Sequence, residues 1–226
     1  MMVETAMGDR ATKDALYDGF SVVAKALANG RRAEIVDVLS QGERSVDELA
    51  AEIGQSMANT SQHLRHLAGA GLVRTRRDGN RVIYALTDPR VGDLWVTLRS
   101  VAANHVAQID RLAAAYLGGR EGLAIISRDE LARRLRAGDL VILDVRPVAE
   151  YRAGHILGAR SVPITALHSE LDRLPDGQEV IAYCRGPYCA YADEAVRELR
   201  RRGVPARRLE DGYPEWAEAG LPIASG

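Results

Sequence analysis

Two short apolar runs constrain this chain most: Leu140-Val141-Ile142-Leu143-Asp144-Val145 and Glu179-Val180-Ile181-Ala182-Tyr183. Neither alternates polar with apolar, so neither suits a strand with one wet face. Continuous runs of this length are what parallel strands covered on both faces require. A helical pattern opens at Ser127-Arg128-Asp129-Glu130 and carries Leu131 and Leu135; another covers residues 190–202, and a further strand is expected over Ala206–Leu209. Alternating strands and helices predict an α/β domain with a parallel sheet flanked by helices. Upstream the pattern is mainly helical. The change falls at Gly118-Gly119, which predicts two domains, residues 1–120 and 121–226.

Hydrophobic residues make up 46% of the chain and charged ones 27%, ordinary values for a soluble globular protein. No apolar run approaches the ~20 residues that cross a bilayer, and the N-terminal stretch lacks the apolar centre of a signal peptide. The expectation is a cytoplasmic protein with no membrane partner. The net charge of −1 carries no message about nucleic acid. Local charge does: between residues 61 and 81 five arginines, Arg65, Arg74, Arg76, Arg77 and Arg81, face a single acid, Asp78. Such a patch is the footprint that phosphate binding requires.

The first helix is expected over residues 13–28, with Leu16, Phe20, Val23 and Leu27 as its apolar stripe and Asn29-Gly30 as its stop. A second carries Ala33, Ile35, Val36, Val38 and Leu39 and ends near Gln41-Gly42. Ser45-Val46-Asp47-Glu48 has the form of a capping box and opens a short helix to Ile53. After a turn at Gly54, Ser56 caps a helix whose Met57, Thr60, Leu64 and Leu67 face inward, leaving Asn59, Ser61, Gln62, Arg65 and His66 outside. Two helices joined by a tight turn, the second polar outside, predict a helix-turn-helix. Residues 72–77 and Arg81–Leu86 flank Asp78-Gly79-Asn80, a strong hairpin signal. A hairpin in that place is a wing, with its arginines set for phosphates. Asp88-Pro89 then starts a long helix to about Leu117. The near-heptad spacing of Val91, Leu94, Leu98, Val101, Ile109 and Leu112 predicts a seam with a second copy of the chain.

The segment LANGRRAEIVDVLSQGERSVDELAAEIGQSMANTSQHLRHLAGAGLVRTRRDGNRVIYALTD resembles the ArsR family of winged-helix repressors. The resemblance covers about residues 15–117. It implies a homodimer that lays paired recognition helices in successive major grooves of double-stranded operator DNA and lets go when an inducer acts. Asn59, Ser61, Gln62, Arg65 and His66 would then meet bases or phosphates, and Arg74, Arg76, Arg77 and Arg81 phosphates. Many members sense metals through cysteines on the helix that here is SVDELA, where none stands. The last helix offers Asp93, His105 and Asp110 without a second histidine, so no metal and no cofactor is expected there.

The chain has two cysteines, Cys184 and Cys189. In a reducing compartment so close a pair suggests metal binding or thiol chemistry. Cys184 follows an expected strand and the loop Cys184-Arg185-Gly186-Pro187-Tyr188-Cys189 leads into a helix. Loop N–H groups, the helix dipole and Arg185 are expected to favour a Cys184 thiolate and to cradle a persulfide or an oxyanion. The motifs DVRPVAEYRAGHILGARSVP, YCRGPYC and LEDGYPEWAEAGLPI resemble a single-copy rhodanese domain over about residues 127–223. That resemblance implies a sulfurtransferase-type fold in which Cys184 accepts sulfane sulfur. It gives Asp144, Arg146 and His155 supporting roles at the loop and strand ends, and places Trp216 near the loop. Cys189 departs from the Arg or Thr common at its position, which makes it a resolving thiol. The leading expectation is a regulator, a repressor, whose partners are operator DNA, itself, and a sulfane-sulfur donor or oxidant. Its alternatives are a sulfurtransferase with an accessory DNA-binding part and a soft-metal-responsive repressor.

Overall fold

The computed structural model describes residues 9–138, 140–170 and 177–226. The described residues form two compact units, one up to Leu39 with Glu43–Val91, the other Ser40–Gly42 with Gly92–Gly226.

In the first unit the helices are α1 (Arg10–Leu27), α2 (Gly30–Ser40), α3 (Val46–Glu52) and α4 (Met57–Gly69). Strands β1 (Arg44–Ser45), β2 (Val73–Asp78) and β3 (Arg81–Leu86) make a sheet in the order β1-β3-β2. Local chemistry accounts for the helix starts. The Asn29 side chain accepts from the Arg31 and Arg32 N–H groups at 3.1 and 3.2 Å. One oxygen of Glu48 accepts from both the N–H and the hydroxyl of Ser45, each at 2.8 Å, so the return arm of the expected capping box dominates. The β2–β3 turn has positive φ at Gly79 alone, +57°. That matches a II′ turn, with glycine first of the two central residues. Ile35, Val36, Leu49, Leu64 and Leu67 are fully or almost fully buried and form the core of this unit.

The expected long helix is two: α5 (Pro89–His105) and α6 (Ile109–Leu117). The last α5-type bond runs from the Val106 N–H to the Ala102 carbonyl at 2.9 Å. Asn104, His105 and the β-branched Val106 have low helix propensity and end it without glycine or proline. The expected seam positions are therefore carried by two helices, Val91, Leu94, Leu98 and Val101 on α5 and Ile109 and Leu112 on α6.

In the second unit, β4 (Ile125–Ile126), β5 (Leu140–Asp144), β7 (Arg160–Ser161), β8 (Glu179–Tyr183) and β9 (Ala206–Leu209) form a parallel sheet in the order β4-β9-β8-β5-β7. A separate antiparallel pair joins β6 (His155–Ile156) to β10 (Ile223–Ala224). The helices are α7 (Arg128–Leu135), α8 (Val148–Ala153), α9 (Leu167–Glu170), α10 (Ala190–Arg201) and α11 (Tyr213–Glu218). The two apolar runs are the central strands β5 and β8, and period-two alternation sorts their side chains. Val141, Leu143, Val180, Ala182 and Cys184 join one core cluster with Ala192, Ala195, Val196 and Leu199 of α10. Ile142, Ile181 and Tyr183 join the other, with Leu131 and Trp216. No helix of the described residues is long and apolar enough to cross a membrane.

Candidate functional sites

In the first unit, α4 buries Thr60, Leu64 and Leu67, while Met57, expected inward, is 55% exposed at the start of the helix. The Ser56 hydroxyl accepts from the Asn59 N–H at 3.2 Å and caps the helix. Asn59, Gln62, Arg65 and His66 are exposed and Ser61 is half-buried, so all five stand away from the buried face. Their hydrogen bonds stay on α4 and its approach: Asn59 donates to the Gln55 side chain at 3.5 Å, and Arg65 to the Ser61 carbonyl at 3.4 Å. His66 Nδ1 lies 2.8 Å from the Gln62 carbonyl.

The wing arginines are all exposed but differ electrostatically. Arg74 and Arg76, two residues apart on β2 and hence on one side of it, converge on Glu43 at 3.7 and 2.8 Å. Arg76 also reaches Asp78 at 3.3 Å. Arg81 lies near Asp47, whose carboxyl is held below its ordinary value by the Ser45 hydroxyl first and by Arg81 in smaller part. Arg77, on the other side of the strand, has no ion pair among the described residues. Glu43, at the centre of this carboxylate collar, lies 31 and 33 positions from Arg74 and Arg76, too far for a local sequence pattern to show the pairing.

In the second unit, Cys184 directly follows β8 and Cys189 is the N-cap of α10. The two are joined by a disulfide with their Cα atoms 6.2 Å apart. Alternation along β8 turns the Cys184 side chain into the α10-side cluster, and the residue is 1% exposed; Cys189 is partly exposed. It is Cys189, not Cys184, that stands at the helix N-terminus. The Cys189 N–H donates to the Gly186 carbonyl at 3.1 Å, closing the loop on itself.

Glutamate 150, on α8 and fully buried, holds the loop cation: Arg185 Nε lies 3.1 Å from each carboxylate oxygen and Nη2 2.6 Å from one. Arg120 donates to the Pro187 carbonyl at 2.7 Å and to buried Asp193 of α10 at 2.6 Å. Asp193 also faces Arg208 at 3.0 Å. Arg99 pairs with Glu215, whose carboxyl is pushed up by burial against the opposing pull of Arg99. Glu215 in turn accepts from the Gly212 N–H at 3.0 Å. Each cation around the loop thus has a carboxylate partner. The sequence signal for Glu150 was its place in the DVRPVAEY motif; its partner lies 35 residues away.

Among the described residues, the hydrogen bonds and ion pairs of Asp144 and Arg146 go to partners outside the cysteines' loop. The Asp144 carboxylate accepts from Arg146 N at 3.0 Å, Nε at 2.9 Å and Nη2 at 2.5 Å, and from the Tyr183 hydroxyl at 2.6 Å. Arg146 also donates to the Gly154 carbonyl at 2.7 Å and lies 4.4 Å over the Tyr213 ring. This knot ties β5 to β8 one residue before Cys184. His155 stacks on Tyr151, ring centroids 3.7 Å apart. Trp216 is buried in the cluster opposite to that of Cys184, its indole N–H donating to the Pro222 carbonyl at 3.0 Å.

Residues 29–75 match the model of the bacterial regulatory protein arsR family, and residues 127–219 that of the rhodanese-like domain. The chain is similar along almost its whole length to the HTH-type transcriptional regulator Rv0324 of Mycobacterium tuberculosis, 43% identical over 97% of this chain and 96% of the relative. A probable mercury resistance operon repressor of Streptomyces lividans is 37% identical over 38% of this chain and 69% of its own length. Among solved structures, the homodimeric winged helix-turn-helix DNA-binding domain of Mb0332 from Mycobacterium bovis is 40% identical. It covers 45% of this chain and 93% of that fragment, with a TM-score of 0.41.

Proposed function

Because the chain belongs to the ArsR family of HTH-type transcriptional regulators and carries a rhodanese-like domain, we propose that it is a repressor that reads reactive sulfur through Cys184 and Cys189. It binds double-stranded operator DNA as a homodimer. Helix α4 presents Asn59, Ser61, Gln62, Arg65 and His66 to the major groove, and the wing presents Arg74, Arg76, Arg77 and Arg81 to phosphates. The exposed apolar side chains of α1 (Leu16, Phe20), α5 (Leu94, Leu98, Val101) and α6 (Leu112, Tyr116) supply the dimer surfaces.

The observation that carries the sulfur reading is the cysteine pair closing one loop between β8 and α10. In the reduced loop the Cys184 thiolate attacks the sulfane sulfur of a donor. The new S–S bond forms as the donor's S–S bond breaks, and the donor leaves with the electron pair. The Cys189 thiolate then attacks Cys184 Sγ, the disulfide forms and hydrosulfide departs. The protein ends oxidised by the donor's sulfane sulfur, with no other oxidant needed.

The deciding experiment measures operator affinity for the reduced, persulfidated and disulfide forms. A tenfold change corresponds to about 1.4 kcal/mol of coupling. Equal affinity for all three removes the sensor reading and leaves a sulfurtransferase joined to a DNA-binding domain, which rapid turnover with a thiol acceptor would support.

A further inference from the structure

The two sulfurs of the loop are not equally reachable. Cys184 is 1% exposed and sits in the cluster that includes Val145, Ala182 and Ala192, whereas Cys189 is partly exposed at the head of α10. We infer that the oxidised loop is opened from outside: a small monothiol attacks Sγ of Cys189, and Cys184 is the leaving group. The inference rests on the reading above only in that the loop cycles between dithiol and disulfide.

Thiol–disulfide exchange places the nucleophile, the attacked sulfur and the leaving sulfur on one line, and access decides which sulfur is attacked. Attack on Cys189 needs an approach from the side away from Cys184; Cys189 packs against the same cluster but is partly exposed at the head of α10, so a small thiol can reach it. While the ring is closed, an outside thiol attacking Cys184 would have to reach a sulfur that is 1% exposed in the cluster under α10. The backbone holds this asymmetry in place. The Tyr213 N–H donates to the Cys184 carbonyl at 3.0 Å. Gly212 lies so close to the loop that a Cβ there would be 2.2 Å from the Gly186 nitrogen. The loop is pressed against the start of α11, and the Cys184 backbone is held there while the ring is closed.

The chemistry balances with the monothiol alone. Its thiolate bonds to Cys189 Sγ as the Sγ–Sγ bond breaks, and the electron pair goes to Cys184, which takes a proton. A second thiolate attacks the adduct's outer sulfur and releases Cys189, so two thiols become one disulfide while the protein's disulfide becomes two thiols. Cys189 is thus the modification site of the oxidised protein, and Cys184 the inner thiol that expels an unproductive adduct by closing the ring again.

The test uses the full chain, oxidised with diamide, treated briefly with glutathione, and quenched with a maleimide. Trypsin cuts after Arg185 and separates Cys184, in residues 174–185, from Cys189, in residues 186–197. Glutathione is expected on Cys189 and maleimide on Cys184. Glutathione on Cys184, an even partition, or failure of diamide to form the intrachain disulfide would overturn the proposal. To remove scrambling between the two sulfurs, Cys184→Ser and Cys189→Ser are each loaded with thionitrobenzoate and exposed to glutathione. The adduct on Cys189 is expected to be displaced at least about tenfold faster; equal or reversed rates overturn the assignment. Neither arm uses DNA or sulfane sulfur. An operator affinity blind to the loop, together with glutathione on Cys189, keeps this inference and removes only the sensor reading.

Discussion

Tyr183 shows how much one hydroxyl does in this molecule. It donates to Asp144 at 2.6 Å and accepts from the Ile156 N–H at 3.1 Å, entirely buried. Burial first, and then the Asp144 charge, push its pKa far above the ordinary value, so it keeps its proton. Tyr183→Phe leaves a buried N–H without its acceptor and should lower stability by about 1–3 kcal/mol, read from the denaturant midpoint. On the wing the informative residue is Glu43, which pairs with both Arg74 and Arg76. Glu43→Gln should tighten operator binding several-fold at low salt and steepen its salt dependence, since more arginine charge is left for phosphates. Arg77→Ala, by contrast, should weaken binding to all sequences and reduce the salt slope by about 1. Fluorescence titrations at several salt concentrations decide both; a Glu43→Gln protein with unchanged affinity and slope would refute the collar's role.

Among the elements, α3 owes its start to Glu48. The Ser45 backbone N–H is the main cause of a Glu48 pKa below the ordinary 4.5, opposed by partial burial and assisted by the Ser45 hydroxyl. A depressed folded pKa gives stability that is present above the unfolded value and is lost as pH falls through the folded one. The stability gap between wild type and Glu48→Gln should therefore be widest near neutral pH and close below about pH 4.5, as denaturant melts across that range would register. A gap that does not change with pH would argue against the cap. The start of α11 depends on closeness rather than charge: Gly212 needs no unusual φ, but its missing Cβ makes room for the Gly186 and Arg185 backbone. Gly212→Ala forces backbone apart and should cost about 1–3 kcal/mol or more, with the Cys184 loop displaced; a thermal melt unchanged from wild type would contradict this.

For the whole molecule the open apolar surfaces matter most. Leu98 and Val101 of α5 are 43% and 51% exposed, and Phe20 of α1 is 65% exposed. Large apolar side chains left this open mark association surfaces. Leu98→Asp should yield a monomer with poor operator affinity while keeping its helical content. Sedimentation showing an unaltered dimer, or a monomeric wild type at micromolar concentration, would sink that assignment. The break at residues 106–108 shortens the seam to two separate helical pieces, so the effect of Leu98→Asp should exceed that of a charge placed at Leu112.

Element identity was legible along the chain because its causes are local. The Ser45 and Ser56 starts, the glycine turn of the wing, the two buried strand runs and the strand Ala206–Leu209 each follow from residues within a few positions of one another. The order of helix-turn-helix, wing and α/β sheet, and the cysteine loop between β8 and α10, came with them. What tertiary structure alone decided was charge pairing and access. Glu43 and Arg76, Glu150 and Arg185, or Gly212 and Gly186 meet only because distant segments fold together. The reach of the two sulfurs was decided in the same way. The spacing of Cys184 and Cys189 announces a reactive pair, but which sulfur faces solvent depends on the strand register that turns Cys184 under α10. A heptad pattern likewise marks apolar positions without saying whether the helix beneath them is unbroken. Patterns encode the period of burial; pairing, clearance and exposure arise from contacts the pattern does not contain.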